Sequence, residues 1–328
     1  MSLNASYRAA EGIMRERASS FYLVFQGMER SKFLDIAAIY AFCRYADDLA
    51  DDSCQRGSLV EDDLDRLENK VRSLYDGEEL QSWSKHEWWD AFVQTVKTRR
   101  IPIVPFLNQI EGQRSDVHFK PVETLEDLIE YCKKVAGTVG LMLAPMLRGQ
   151  RADERYERIC ETLGVAMQIT NILRDIGEDI RQRKRVYLPR MLMEHYGVSV
   201  CKIEDLSKLN RSRGRLKDAV LSVRDSEVPE EVVLLWEELA VLAERYYEEV
   251  FENLYMFDSD SLRAVTTAGV YYRAILDEVR KNRYNCFTTR CYTSMKTKKA
   301  LMKQVGIYVD KHTEEGSQCG KRERAHRG

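Results

Sequence analysis

Apolar residues recur at three- and four-residue steps along most of the chain, the period of an amphipathic helix and not of a strand. Residues 5–26 set Ile13, Phe21 and Val24 among charged neighbours, and residues 31–51 carry Phe33, Ile36, Ala37, Tyr40, Ala41 and Arg44 at helical spacing. Each segment predicts one helix. From Gly57 to Gly77 the pattern is polar and acidic around Leu59, Leu64, Leu67 and Val71, which predicts a surface helix. Another helix is expected near 83–99, after which Pro102 and Pro105 mark a short break. Thr124 and Asp127 form a capping-box pattern ahead of the apolar run LIEYCKKVAGTVGLMLAPML. Ala136, Gly137, Thr138 and Gly140 inside that run cost helix propensity, so a kink or a close backbone contact is expected there. The longest periodic segment, 154–182, ends at the basic run 181–185, and two more long helices are expected at about 228–256 and 259–282. No repeat of solenoid period is present. The pattern predicts a single all-α domain over 1–305, followed by a polar tail, 306–328, expected to be disordered.

Composition sharpens this picture in two places. Only 17 Gly and 6 Pro occur in 328 residues, few turns for a strand-rich fold. Lys and Arg total 51 against 53 Asp and Glu, so no charge excess points to nucleic acid. The eight cysteines form no Cys-x-x-Cys pair, which argues against zinc and thioredoxin-like readings and for reduced thiols in the cytoplasm. No apolar run approaches the length of a membrane span.

Two acidic clusters carry the candidate chemistry. The first, Asp47-Asp48-Leu49-Ala50-Asp51-Asp52, ends the second helix, with Asp47 and Asp51 one turn apart on one face. Like charges at that spacing repel, and acidic groups at a helix C-terminus oppose its dipole, so the cluster calls for a cation. A solvated acidic helix end is the plain alternative. The second cluster runs Gln168, Asn171, Asp175, Asp179 at steps of three and four, interleaved with Ile169, Ile172, Leu173 and Ile176. A polar stripe on an otherwise buried helix must be satisfied, and hard oxygen donors in a row suit Mg²⁺ shared with phosphate oxygens. Arg44 and the run Arg181, Arg183, Lys184, Arg185 are candidates to complete an anion site. The repulsion predicts that Asp47→Asn or Asp175→Asn abolishes turnover and leaves stability equal or higher.

The segments ASSFYLVF (18–25), YAFCRYADDLAD (40–51), YCKKVAGTVGL (131–141), GVAMQITNILRDIGEDIRQRKRVYLP (164–189) and YRAILDEVRKNRYNCFTTR (272–290) resemble, in that order, the squalene/phytoene synthase family. The resemblance covers roughly residues 5–300. It implies the isoprenoid synthase fold, one helical bundle around a central cavity, with a cluster of Mg²⁺ ions as cofactor. By position it makes Asp47, Asp51, Asn171, Asp175 and Asp179 the metal-binding set. It places Tyr40, Arg44, Arg185, Tyr187 and Arg290 at diphosphate-contacting positions, with Gln168 lining the site. Ser19, Ser20 and Tyr131 match polar positions at the reaction centre, with Tyr272 nearby. Phe21, Phe25, Ala37, Val135, Gly140, Leu163 and Gly164 fall where prenyl tails are expected.

The activity implied by the resemblance is head-to-head condensation of two prenyl diphosphates, farnesyl or geranylgeranyl, through a cyclopropylcarbinyl diphosphate. The product would be a phytoene-, dehydrosqualene- or squalene-type hydrocarbon. The residues leave a class I terpene cyclase, a chain-elongating prenyltransferase and a non-catalytic assembly factor of the same fold as alternatives. Substrate chain length and oligomeric state stay open. No Gly-rich dinucleotide motif is present and no C-terminal anchor is visible, so a non-reductive product is favoured over one that uses NADPH. A greasy product implies transient peripheral contact with a membrane surface.

Overall fold

The computed structural model describes residues 2–51, 59–77, 86–208 and 228–325, with side chains described through residue 313. The described residues fold into helices. Their only β-type contact is an isolated antiparallel bridge between Arg148 and Phe257.

The expected first helix is two. α1 (Leu3–Arg17) stops at Ala18, whose φ of −138° and ψ of 57° leave the helical region, and α2 (Ser19–Phe25) starts afresh with the two serines in its first turn. α3 (Arg30–Asp51) buries Phe33, Ile36, Ala37, Ala41, Phe42 and Ala46 and ends in the first acidic cluster. α4 (Leu59–Asp76) is the amphipathic surface helix, with Leu64, Leu67 and Val71 turned inward. α5 (Trp89–Arg99) closes in a left-handed Arg100, and α6 (Val104–Val117) carries Pro105 in its first turn. Pro102 stays in the break, while Pro105 sits where Pro gives up an amide that has no partner in a first turn. Asp35 accepts from Tyr7 (3.0 Å), Thr95 (2.9 Å) and Arg99 (2.7 Å), tying α1, α3 and α5 through one buried carboxylate.

α7 (Leu125–Cys132) carries the expected capping box, passes through a π-helical turn at Lys133–Gly137 and continues as α8 (Thr138–Leu147). α9 (Tyr156–Glu178) lies across this kinked helix, and a second π turn follows at Asp179–Arg183. The small residues have a purpose at this crossing. A Cβ on Gly140 would sit 2.1 Å from the Cys160 carbonyl oxygen, and one on Gly164 would sit 2.2 Å from that of Ala136. Short α10 (Arg190–His195) and α11 (Val200–Lys208) precede α12 (Glu230–Glu252), which docks on α9. Trp236 Nε1 donates to the Leu173 carbonyl at 3.1 Å, and the hydroxyls of Tyr247 and Thr170 lie 2.9 Å apart. α13 (Ser259–Lys281) is capped by Asp258, and α14 (Met295–Ala325) lies along it.

α14 corrects the expected boundary at residue 306. Val305 is fully buried, Tyr308 stacks on Phe251 with centroids 4.7 Å apart, and His312 Nε2 lies 2.8 Å from the Phe251 carbonyl oxygen. Val305, Tyr308 and His312, at steps of three and four, share one helical face, and that is enough to dock the segment. From residue 314 the backbone stays helical to Ala325.

Because Gly140 and Gly164 meet backbone and not flexible side chains, neither partner can yield. Gly164→Ala is expected to cost about 3 kcal/mol of stability, by forcing the two helices apart. Gly12→Ala, where nothing lies within 4 Å, should be neutral or mildly stabilising. Thermal denaturation of the two variants checks both signs.

Candidate functional site

Packing of the inner face of α3 leaves Tyr40, Arg44, Asp47 and Asp51 on one stripe. Asp47 accepts a 2.6 Å hydrogen bond from Gln113 Nε2 on α6, and Arg44 forms an ion pair with Asp48 one turn on. Burial pushes the Asp47 carboxyl up to about 7 against the pull of Arg44, and the nearby Asp51 and Asp116 charges add to the rise. Burial likewise holds Tyr40 protonated, at about 12. Arg44 Nε is buried without a hydrogen-bond partner.

The second stripe lies on α9 and the π turn after it. Asn171 Nδ2 donates to Gln168 at 3.3 Å, while its Oδ1 is buried with no partner. Asp175 is held by Arg174 (2.8 Å) and by Arg290 (3.2 Å), and Arg290 also reaches Glu178 at 3.2 Å. Asp179 accepts from Arg183 at 3.0 Å, and burial pushes its carboxyl up to about 7, with Arg183 opposing the rise. The same guanidinium donates to both oxygens of Asp51, at 3.1 and 3.3 Å. The two acidic clusters thus face each other across one arginine. Among the described residues no three acidic side chains converge closely enough to ligate an ion by themselves. Oxygen donors on two facing helices, one of them an orphaned buried amide oxygen, suit a hard cation completed by an anionic ligand.

Beside Asp47 lies a residue that the sequence reading missed. Asp116, at the end of α6, accepts from Tyr131 (3.1 Å) and Tyr187 (2.9 Å), whose rings stack 5.0 Å apart. Arg185 donates to the Tyr187 hydroxyl at 3.2 Å and to the Asp116 backbone carbonyl. Burial raises the Asp116 carboxyl, and the nearby Arg185 guanidinium opposes that rise. Tyr131 is raised well above the ordinary phenol range, chiefly by burial. Arg185 is buried and committed to this network, so Arg183 is the cation of the basic run that joins the two acidic clusters. A signal for Asp116 was present: Gln109, Gln113 and Asp116 recur at steps of four and three on α6, a polar stripe of the kind recognised on α9.

Two cavities adjoin these groups. The apolar one is lined by Phe21, Phe25, Gly140, Leu163, Gly164 and Met167, and Asn171 and Tyr272 stand at its polar boundary. Five of the seven expected tail-contacting residues line it. Ala37 and Val135 do not; Ala37 is sealed in the core, because its face of α3 packs on neighbouring helices. The second cavity is more polar, with Ser19, Ser20, Arg174 and Lys298 in its wall, and shares Phe21, Ala268 and Tyr272 with the first. Lys298 donates to Ser20 at 2.8 Å. The two serines therefore stand with Arg174 and Lys298, while Tyr131 stands with Asp116.

Asp47 and Asp179 titrate above their ordinary range, so the metal-free fold binds more protons than the unfolded chain between about pH 4 and 7. Stability in chelator should therefore fall as pH rises through that window, and Asp47→Asn should flatten the fall and keep or raise Tm at pH 8. Asp175 corrects the expectation from repulsion alone. It is the counter-ion of Arg174, both side chains being 13% exposed, so Asp175→Asn should cost about 3 kcal/mol. Melting curves across pH test both.

The squalene/phytoene synthase family profile matches residues 14–297. The chain is 32% identical over 305 residues to a 15-cis-phytoene synthase of Synechocystis sp., covering 89% of this chain and 81% of that one. It is 30% identical over 296 residues to a 4,4'-diapophytoene synthase of Staphylococcus haemolyticus, covering 89% and 93%. Among solved structures it matches a dehydrosqualene synthase bound to a ligand, with a TM-score of 0.77, 32% identity, and coverage of 94% and 98%. A squalene synthase HpnC from Alicyclobacillus acidocaldarius, 23% identical with a TM-score of 0.71, shares the fold, covering 86% and 96%. With a profile match over most of its length, both acidic stripes in place and an apolar cavity beside them, the chain belongs to the squalene/phytoene synthase family.

Proposed function

We propose that this protein joins two prenyl diphosphates head to head and releases diphosphate, giving a hydrocarbon of the phytoene or dehydrosqualene type. The observation that carries the reading is the pair of facing carboxylate stripes at the polar boundary of an apolar cavity. A terpene cyclase or a chain-elongating enzyme shares the aspartate logic, but the family match across residues 14–297 favours coupling. An assembly factor that had lost its chemistry should lack one stripe, and both are complete.

Asp47 and Asp51 on one side and Asn171, Asp175 and Asp179 on the other are the residues that would hold Mg²⁺. Each ion would use one or two of these oxygens together with the substrate's phosphates. Bound there, Mg²⁺ would offset negative charge on the departing diphosphate. The remaining chemistry falls to the protein. Arg44, Arg183 and Arg290 are positioned to pair with diphosphate oxygens, each now resting on a neighbouring carboxylate. Phe21, Phe25, Leu163 and Met167 keep water from the allylic cation that forms when the C–O bond of the first substrate breaks.

The double bond of the second substrate attacks that cation, and loss of one proton closes a cyclopropylcarbinyl diphosphate. This intermediate ionises in turn, rearranges and loses a second proton. Tyr131, hydrogen-bonded to buried Asp116, is positioned to relay a proton at its hydroxyl oxygen. No described helix is long and apolar enough to cross a membrane. A peripheral site of action on a membrane is the reading best suited to a hydrocarbon product.

Purified protein, Mg²⁺ and farnesyl or geranylgeranyl diphosphate, with and without NADPH, should yield a thirty- or forty-carbon hydrocarbon identified by mass, unchanged by NADPH. A cyclic terpene of monomer size, free prenyl alcohol or no reaction would sink the coupling proposal. Tyr131→Phe, which keeps the ring stacked on Tyr187, should lower kcat by about 100-fold or more with little change in Tm.

A further inference from the structure

One surface feature is left unused by the chemistry. Between Tyr292 and Val309 the chain has four lysines and no acidic residue, in a protein whose formal charge is −2. Lys298 turns inward to Ser20 and over the Tyr271 ring, whereas Lys296, Lys299 and Lys303 are exposed. Large apolar side chains stand among them in the open: Tyr292 is 74% exposed, Met295 61% and Ile307 62%. α14 cannot roll to hide them, because Val305, Tyr308 and His312 anchor its other face.

Scattered exposed apolar residues need no explanation, but these lie where the active-site space meets the surface. Tyr292, Thr293, Ser294, Met295 and Lys298 form one wall of the polar cavity, which shares Phe21 and Tyr272 with the apolar one. Exposed Tyr292 and Met295 are therefore part of the cavity wall, and Lys296, Lys299, Lys303 and Ile307 follow on the same stretch of chain. An aromatic ring with a polar tip, a flexible thioether and long lysine stems ending in charge make up the side-chain set that settles at a lipid–water boundary.

We propose that residues 292–307 form a docking surface for an anionic lipid bilayer, which holds the mouth of the active-site cavity against the membrane. The hydrocarbon product then leaves the apolar cavity through the adjoining one into the bilayer, without release into bulk water. The last step rests on the coupling activity proposed above; docking itself does not.

The test uses full-length protein and sedimentation with phosphatidylcholine vesicles, with and without phosphatidylglycerol. Binding should require the anionic lipid and weaken with salt. Lys296→Gln/Lys299→Gln/Lys303→Gln should weaken it by about 100-fold, at roughly five-fold per lysine near a charged surface. Tyr292→Ser/Met295→Ser should weaken it at unchanged charge. Circular dichroism melts of each variant verify folding, which these exposed positions should leave intact.

Vesicle binding by the lysine variant equal to that of wild type would overturn the proposal, as would no binding by wild type. Lipid-independent self-association lost in the same variants would instead assign the face to a second copy. Hydrocarbon formation from detergent-dispersed substrate should be unchanged in the lysine variant. Docking without any hydrocarbon formation by wild type would fault the coupling reading and leave the docking surface standing.

Discussion

The arrangement depends on keeping negative charge inside a helical bundle before any ligand arrives. Asp47, Asp51, Asp116, Asp175 and Asp179 come from three helices and a π turn, and mutual repulsion with loss of water would drive them apart. The protein answers with arginines placed among the carboxylates. Arg183 spans Asp51 and Asp179, Arg174 and Arg290 hold Asp175, and Arg185 steadies Asp116. Asp47 has only the amide of Gln113 and the more distant Arg44, and its carboxyl is correspondingly raised. Such a set is compact yet under-neutralised, the electrostatic condition under which added cations are welcome.

That condition is created by packing at a distance. Gly140 and Gly164 let the kinked α7–α8 helix meet α9 backbone to backbone, which brings the second stripe to the cavity boundary. The π turn at Lys133–Gly137 lies at this crossing and the one at Asp179–Arg183 inside the site, and each locally departs from the regular α spacing. In the second, Arg183 folds back on Asp179 while reaching Asp51. Gly177 belongs to the same scheme, since a Cβ there would overlap the Phe287 carbonyl and dislodge the segment that delivers Arg290.

Charge and greasiness are divided between neighbouring spaces. The apolar cavity has aromatic and aliphatic walls, and its polar boundary is drawn by Asn171 and Tyr272. The second cavity carries Lys298 and Arg174 near Ser19 and Ser20. An amphipathic substrate with an anionic head and a long hydrocarbon tail matches this division. The exposed, lysine-rich start of α14 repeats the same mixture on the outside.

How much of this was legible without coordinates depends on the range of each interaction. Helical period, the capping box at Thr124, the strained small-residue run and the two polar stripes are local, and the sequence alone determined them, as the ordered motifs did the family. It also showed that Asn171, Asp175 and Asp179 share a face. It did not separate α1 from α2, because the break at Ala18 is a backbone choice made by packing on either side. The helical course of residues 306–313 was hidden because three anchoring side chains outweigh a polar composition only when a partner face exists. Asp116 was passed over although its stripe on α6 was readable. What only the tertiary structure decided is which charges meet. Arg183 and not Arg185 spans the clusters, and Asp175 is the counter-ion of Arg174 and Arg290 where spacing alone suggested repulsion. Coulomb energy depends on distance and burial, and neither is written in the order of residues.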